Sequence, residues 1–85
     1  SEKWNDVILI YPNPASNYIN IDLGGFIYSN IEIFDNYGRL IKHNFNIGNN
    51  NGIISFLINN LKSGAYFIRI SSKKESISKK IIIKK

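Results

Sequence analysis

The sequence predicts an all-β domain, a seven-stranded antiparallel sandwich of immunoglobulin-like shape. Three observations predict it. Hydrophobicity alternates with a period of two along most of the chain, β-branched and aromatic residues fill each alternating run, and Gly, Pro, Asn and Ser punctuate the runs about every 8–12 residues.

The first run is Val7-Ile8-Leu9-Ile10-Tyr11, ended by Pro12-Asn13-Pro14, because neither proline nitrogen can donate to a ladder. In the second, Ile19, Ile21 and Leu23 alternate with Tyr18, Asn20 and Asp22 until Gly24-Gly25 turns the chain. Ile31 and Ile33 alternate with Glu32 and Phe34, and Asn36-Tyr37-Gly38 then fits a type I turn with a bulge. Ile41, His43, Phe45 and Ile47 share one parity, and Gly48-Asn49-Asn50-Asn51-Gly52 reads as a loop tip with Asn51-Gly52 as a hairpin signal. Ile54, Phe56 and Ile58 form the fifth run, and Tyr66, Ile68 and Ile70 the sixth, after Ser63-Gly64. Ser71 to Ser76 is the last polar break before Ile81-Ile82-Ile83. Nothing carries a helical stripe of useful length, so no helix is expected.

Length and charge narrow the functional classes. The 85 residues make one domain with one core. No Cys is present, which excludes disulfides, thiolate metal sites and a cysteine nucleophile. The longest apolar run is five residues, Val7 to Tyr11, too short to span or insert in a bilayer. A chain that begins at Ser1 and lacks Met is expected to be a piece of something longer, and no secretory signal peptide is seen in it. Ser1 to Asp6 reads as the end of a linker and residues 7–85 as the domain, with Trp4 capping the open end of the core.

The net charge of +5 sits entirely in the tail. Residues 1–72 balance Lys3, Arg39, Lys42, Lys62 and Arg69 against Glu2, Asp6, Asp22, Glu32 and Asp35. Residues 73–85 set six lysines against Glu75 alone. A neutral body with a basic end is a local electrostatic handle, not a surface that tracks phosphates, so nucleic acid is not an expected partner.

Candidate chemistry is sparse. His43 is the one imidazole and lies on an apolar parity, where packing explains it better than catalysis. The carboxylates Asp6, Asp22, Glu32 and Asp35 fall on different elements. Asp35-Asn36 could ligate calcium, yet such residues start turns for backbone reasons far more often. The chain is expected to be no enzyme and to need neither cofactor nor metal. Its aromatics are expected to face mostly inward, Tyr66 among them.

Four spaced segments carry a resemblance. They are Ile10-Tyr11-Pro12-Asn13-Pro14-Ala15-Ser16-Asn17-Tyr18-Ile19-Asn20-Ile21, Ile31-Glu32-Ile33-Phe34-Asp35-Asn36-Tyr37-Gly38-Arg39-Leu40-Ile41, Leu61-Lys62-Ser63-Gly64-Ala65-Tyr66-Phe67-Ile68-Arg69-Ile70, and Lys79-Lys80-Ile81-Ile82-Ile83-Lys84-Lys85. In this order and spacing the chain resembles, over residues 7–85, the type A C-terminal sorting domain of the type IX (Por) secretion system. The resemblance implies an address that carries an attached upstream cargo through the outer-membrane translocon. It also implies periplasmic transit, removal of the domain by a sortase-like cysteine peptidase, and cargo left on the cell surface or released.

The residues expected to carry recognition are Pro12, Asn13, Pro14, Gly38, Gly64, Tyr66, Lys80, Ile81, Ile82, Ile83, Lys84 and Lys85. For the prolines and glycines a structural reading stands beside the functional one: rigid strand exits and positive-φ turns. The tail can offer a strand edge to a partner, with lysines meeting an acidic surface, or it can be a solvated edge guarded by lysines. Which of Lys84 and Lys85 matters stays open. An immunoglobulin-like accessory or carbohydrate-binding module of a secreted enzyme is the alternative reading.

Overall fold

The computed structural model describes residues 2–43, 48–50 and 52–85. Helix α1 spans Glu2–Val7, and eight strands follow: β1 Leu9–Tyr11, β2 Tyr18–Asp22, β3 Asn30–Asp35, β4 Leu40–His43, β5 Gly48–Asn50, β6 Ile53–Leu57, β7 Gly64–Ser71 and β8 Ser76–Ile83. They make two four-stranded sheets, β1-β2-β6-β5 and β4-β3-β7-β8, with every strand pair antiparallel. This is the sandwich that the alternation predicts.

The parity of each run is the parity of burial. Ile19 and Ile21 of β2 meet Ile54 and Phe56 of β6 on the inner face of one sheet. Ile31 and Ile33 of β3, Ile68 and Ile70 of β7, and Ile81 and Ile83 of β8 supply the other. Each buried isoleucine contributes about 2 kcal/mol by the area it removes from water. The layers hold together through a core in which twelve of the eighteen buried apolar residues described are isoleucines.

The expected runs form strands where the structure describes them, the first only over Leu9–Tyr11 and the fourth as far as His43, and β5 adds a short one. Gly48 to Asn50, expected as part of a loop tip, pairs with β6 instead, in the register Gly48↔Ser55 to Asn50↔Ile53. Of the Asn51-Gly52 signal, Gly52 has φ 80°, whereas residue 51 lies outside the described residues. The His43-Phe45-Ile47 parity is described only for the backbone of His43; residues 44–47 lie outside.

Two expectations need correction. A helix does form, over Glu2–Val7, where none is expected. One reason is tertiary: the Trp4 ring packs edge-on against Phe26 at 5.2 Å between centroids, so a stretch without periodicity is ordered by the core it covers. Gly24 lets the helix end approach, since a Cβ there would collide with Val7. The second correction concerns aromatics. Phe26, Phe56 and Tyr66 are buried, but Tyr11, Tyr18, Tyr37 and Phe67 are exposed, so the inward expectation fails for these four. They sit at outward parities or at a turn tip, where the period of two places them.

Candidate functional site

One corner of the sandwich gathers most of the tail and the Pro-Asn-Pro segment. β8 is an edge strand, paired on one side with β7 from Gly64↔Ile83 to Ser71↔Ser76. Its other side, at the C-terminal end, is covered by residues 13–15. The Ala15 N–H donates to the Ile82 carbonyl at 2.8 Å, and the Lys84 N–H donates to the Ala15 carbonyl at 2.8 Å, a parallel bridge. The Asn13 side-chain oxygen accepts from the Ile82 N–H at 2.9 Å. Pro12 and Pro14 follow cis peptide bonds and are exposed, while Ala15 between them and the core is buried.

The last residue is fixed more firmly than its position suggests. The Lys85 N–H donates to Ser63 Oγ at 2.9 Å. Its ammonium donates to the carbonyls of Ser16, Ile58 and Asn59, the latter two at 3.2 Å. An ammonium has three donors, and here three carbonyls receive them. Lys84 is exposed and offers its backbone, not its side chain, to the fold. The two tail lysines therefore differ in kind.

The alternation also sorts the rest of β8. Ile77, Ile81 and Ile83 point into the core, whereas Lys80 and Ile82 face outward with Ser76 and Ser78. Lys79 shares the inward parity and is half-buried, an inward charge of the kind that guards strand edges. The ion pairs Arg39–Asp35 at 2.7 Å and Arg69–Glu32 at 2.7 Å use no tail lysine. Lys80 and Lys84 are exposed, so their charge lies on the outer face of the corner.

The other expected site residues divide. Tyr66, opposite Ile81 in register, is buried, and its hydroxyl donates to the Lys62 carbonyl at 2.8 Å. Gly64 opens β7 opposite Ile83 with φ 154°, a positive value that L side chains rarely adopt. Gly38 is apart from this corner, in the β3–β4 turn, with φ 81° and its N–H on the Asp35 carbonyl at 3.0 Å. That turn is organised by the Asp35 carboxylate, which accepts from the Tyr37 and Arg39 N–H groups at 2.8 and 3.0 Å and from Arg39 Nε at 2.7 Å. Burial alone would raise the Asp35 pKa, but the Arg39 and Tyr37 backbone bonds and the Arg39 guanidinium outweigh it and hold it below the usual 3.8. The carboxylate once considered for calcium is spent on its own turn.

Sequence reasoning missed Ala15, Ser16, Ser63 and the carbonyls of Ile58 and Asn59. A small residue after Pro14 is the one faint signal among them. Backbone carbonyls carry no residue signature at all.

The described residues hold no cluster of three metal-ligating side chains and no helix long and apolar enough to cross a membrane. What the corner presents is a folded handle, with the chain's two ends of motif locked together and lysines on its rim. Such an arrangement defines a small β-sandwich interaction module. The family model of secretion system C-terminal sorting domains matches residues 9–84, and the chain belongs to that family. A search of curated proteins gives no match. The domain is thus a type IX secretion sorting signal, which implies an upstream cargo, contact with the secretion machinery, and export to the cell surface or extracellular space.

Proposed function

We propose that the export machinery reads this domain in its folded state, at the corner where residues 12–15 meet the end of β8. The observation that carries this reading is the Asn13–Ile82 hydrogen bond at 2.9 Å with its flanking parallel bridge. It makes two distant segments one surface, on which Pro12, Asn13, Pro14, Lys80, Ile82 and Lys84 are accessible. Tyr66, Ile81 and Ile83 shape that surface from beneath, Gly38 and Gly64 set turns and strand starts, and Lys85 anchors the end. The domain has no catalytic role of its own. Cargo passes through the periplasm, and a sortase-like cysteine peptidase separates it from the sorting domain. The cut falls upstream of α1, because Glu2–Val7 is helical and Trp4 is packed on the core, whereas extended linkers are what peptidases accept.

An export assay tests this. A signal peptide and fluorescent reporter precede residues 1–85 in a strain with a working type IX system. Deleting the chain after Lys79 would remove the buried Ile81 and Ile83 and so confuse unfolding with lost recognition. The informative variant is the triple Lys80→Ser, Ile82→Ser, Lys84→Ser. It is expected to melt near the wild type and to stay in the periplasm. A folded triple variant exported at the wild-type level would overturn the assigned surface, and a wild-type domain that is not exported would overturn the role itself.

A further inference from the structure

The edge of β8 is covered only in part, and the covered part shows how the rest would be used. Ile82 directs both its N–H and its C=O away from β7, toward Asn13 and Ala15. In an antiparallel strand, residues two apart point their backbone groups the same way. Ser78 and Lys80 therefore direct theirs to the same side, where residues 13–15 bond to Ile82 and Lys84 instead. There the strand borders a groove of about 330 Å³ lined by Asn5, Ile10, Asn13, Ser78, Lys79 and Lys80. On its far side lies β1, itself the edge of the other sheet. The opening is a slot beside an unpaired strand edge, bounded at one end by the chain's own extended segment.

We infer that this slot accepts an extended peptide strand from a partner protein, which pairs with the backbone of Ser78 and Lys80 and places an acidic side chain near Lys79 and Lys80. This deepens the reading of the domain as a recognised sorting signal and rests on it. Two features select the occupant. The bridge at Ala15 is the intramolecular precedent, since an extended segment already docks on this edge through main-chain bonds. The lining holds two lysines, two carboxamides, a serine and an isoleucine but no carboxylate, so an anionic side chain is the complement. A second copy of the same edge does not meet this description. Antiparallel pairing of two β8 edges through Ser78 and Lys80 would centre on Lys79 and set it opposite its own copy, and like charges across a strand pair are destabilising.

Main-chain pairing makes a prediction that side-chain recognition does not. Proline is tolerated in an edge strand where the lost N–H faces away from the ladder. Ser78→Pro and Lys80→Pro remove one outward N–H each and leave the bonds to β7 in place. In the reporter assay with the full 85-residue chain, each is expected to melt near the wild type and to be exported at least tenfold less. A folded proline variant exported at the wild-type level overturns the inference, while wild-type export in the same experiment leaves the sorting role standing. Failure of wild-type export would count against that role instead. Should both prolines prevent folding, Lys79→Glu decides: reversing the charge in the slot is expected to lower export at least tenfold, and unchanged export overturns the inference. Sedimentation of the wild-type chain at micromolar concentration gives an independent check, because dimerisation abolished by Ser78→Pro or Lys80→Pro would assign the slot to a second copy and overturn the inference.

Discussion

The side chain of Asn13 accepts a hydrogen bond from the backbone N–H of Ile82 across 69 residues of sequence, at 2.9 Å. Through it the Pro-Asn-Pro segment acts as a clasp on the last strand, and a motif that looks local becomes part of a distant one. The Ile82 amide would otherwise be an unpaired donor on a strand edge. Asn13→Ala is expected to cost about 1 kcal/mol, the net value of one such bond. In a domain of this size that lowers the melting temperature by roughly 4–8 °C. Faster hydrogen exchange at Ile82 than in the wild type would locate the loss, and unchanged exchange there would refute the clasp.

Lys84 and Lys85 separate by stability. Lys85→Ala strips three carbonyls of their donor, and for this solvent-exposed contact an expected cost is about 1 kcal/mol. Lys84→Ala leaves its backbone bond to Ala15 intact and should change stability by less than about 0.5 kcal/mol. Denaturant unfolding of the two variants checks the contrast, with equal midpoints counting against it.

Alternation along β8 predicts opposite phenotypes at adjacent positions. Ile81→Ala and Ile83→Ala empty fully buried sites and are expected to cost roughly 2–5 kcal/mol each. Ile82→Ser, at an outward position, should leave the melt almost unchanged while reducing export. Circular dichroism melts beside the reporter assay would show whether the two properties part company.

The β3–β4 turn gives a pH signature. Because the folded Asp35 pKa lies below that of the unfolded chain, its carboxylate stabilises the fold above about pH 4 and ceases to as pH falls through the lower folded value. Asp35→Asn should therefore melt below the wild type at pH 7, with the gap closing toward pH 3. A gap that is the same at both pH values would remove the charge from the explanation.

How much of this was legible in the sequence follows from the range of each interaction. The core was legible because its signal repeats every two residues: Ile19 and Ile21, Ile31 and Ile33, Ile68 and Ile70 all point where parity puts them. The turn at Gly38 was legible because one residue type answers one backbone need. Helix α1 was not, since six residues are too few for a period and Trp4 finds its reason only in Phe26. β5 was hidden for a related cause: glycine and asparagine suit loops, and only the register with β6 holds Gly48–Asn50 extended. At the corner where residues 13–15 meet β8 the two segments that come together could be named, but not their division into core, anchor and surface. That division depends on which carbonyls happen to lie within reach of an ammonium, and on which parity the strand keeps from Ser76 onward.

The three-carbonyl anchor of Lys85 bears on the order in which the chain is made. A ribosome releases β8 after every other element described here, and β8 alone supplies Ile81, Ile83 and the partner for Ala15. Until it emerges, β7 is an open edge and the Pro-Asn-Pro segment has nothing to grip. A chain that lacks β8 thus leaves the corner between residues 13–15 and Ile82 unformed. Completion of β8 and completion of that corner are the same event, written into one strand.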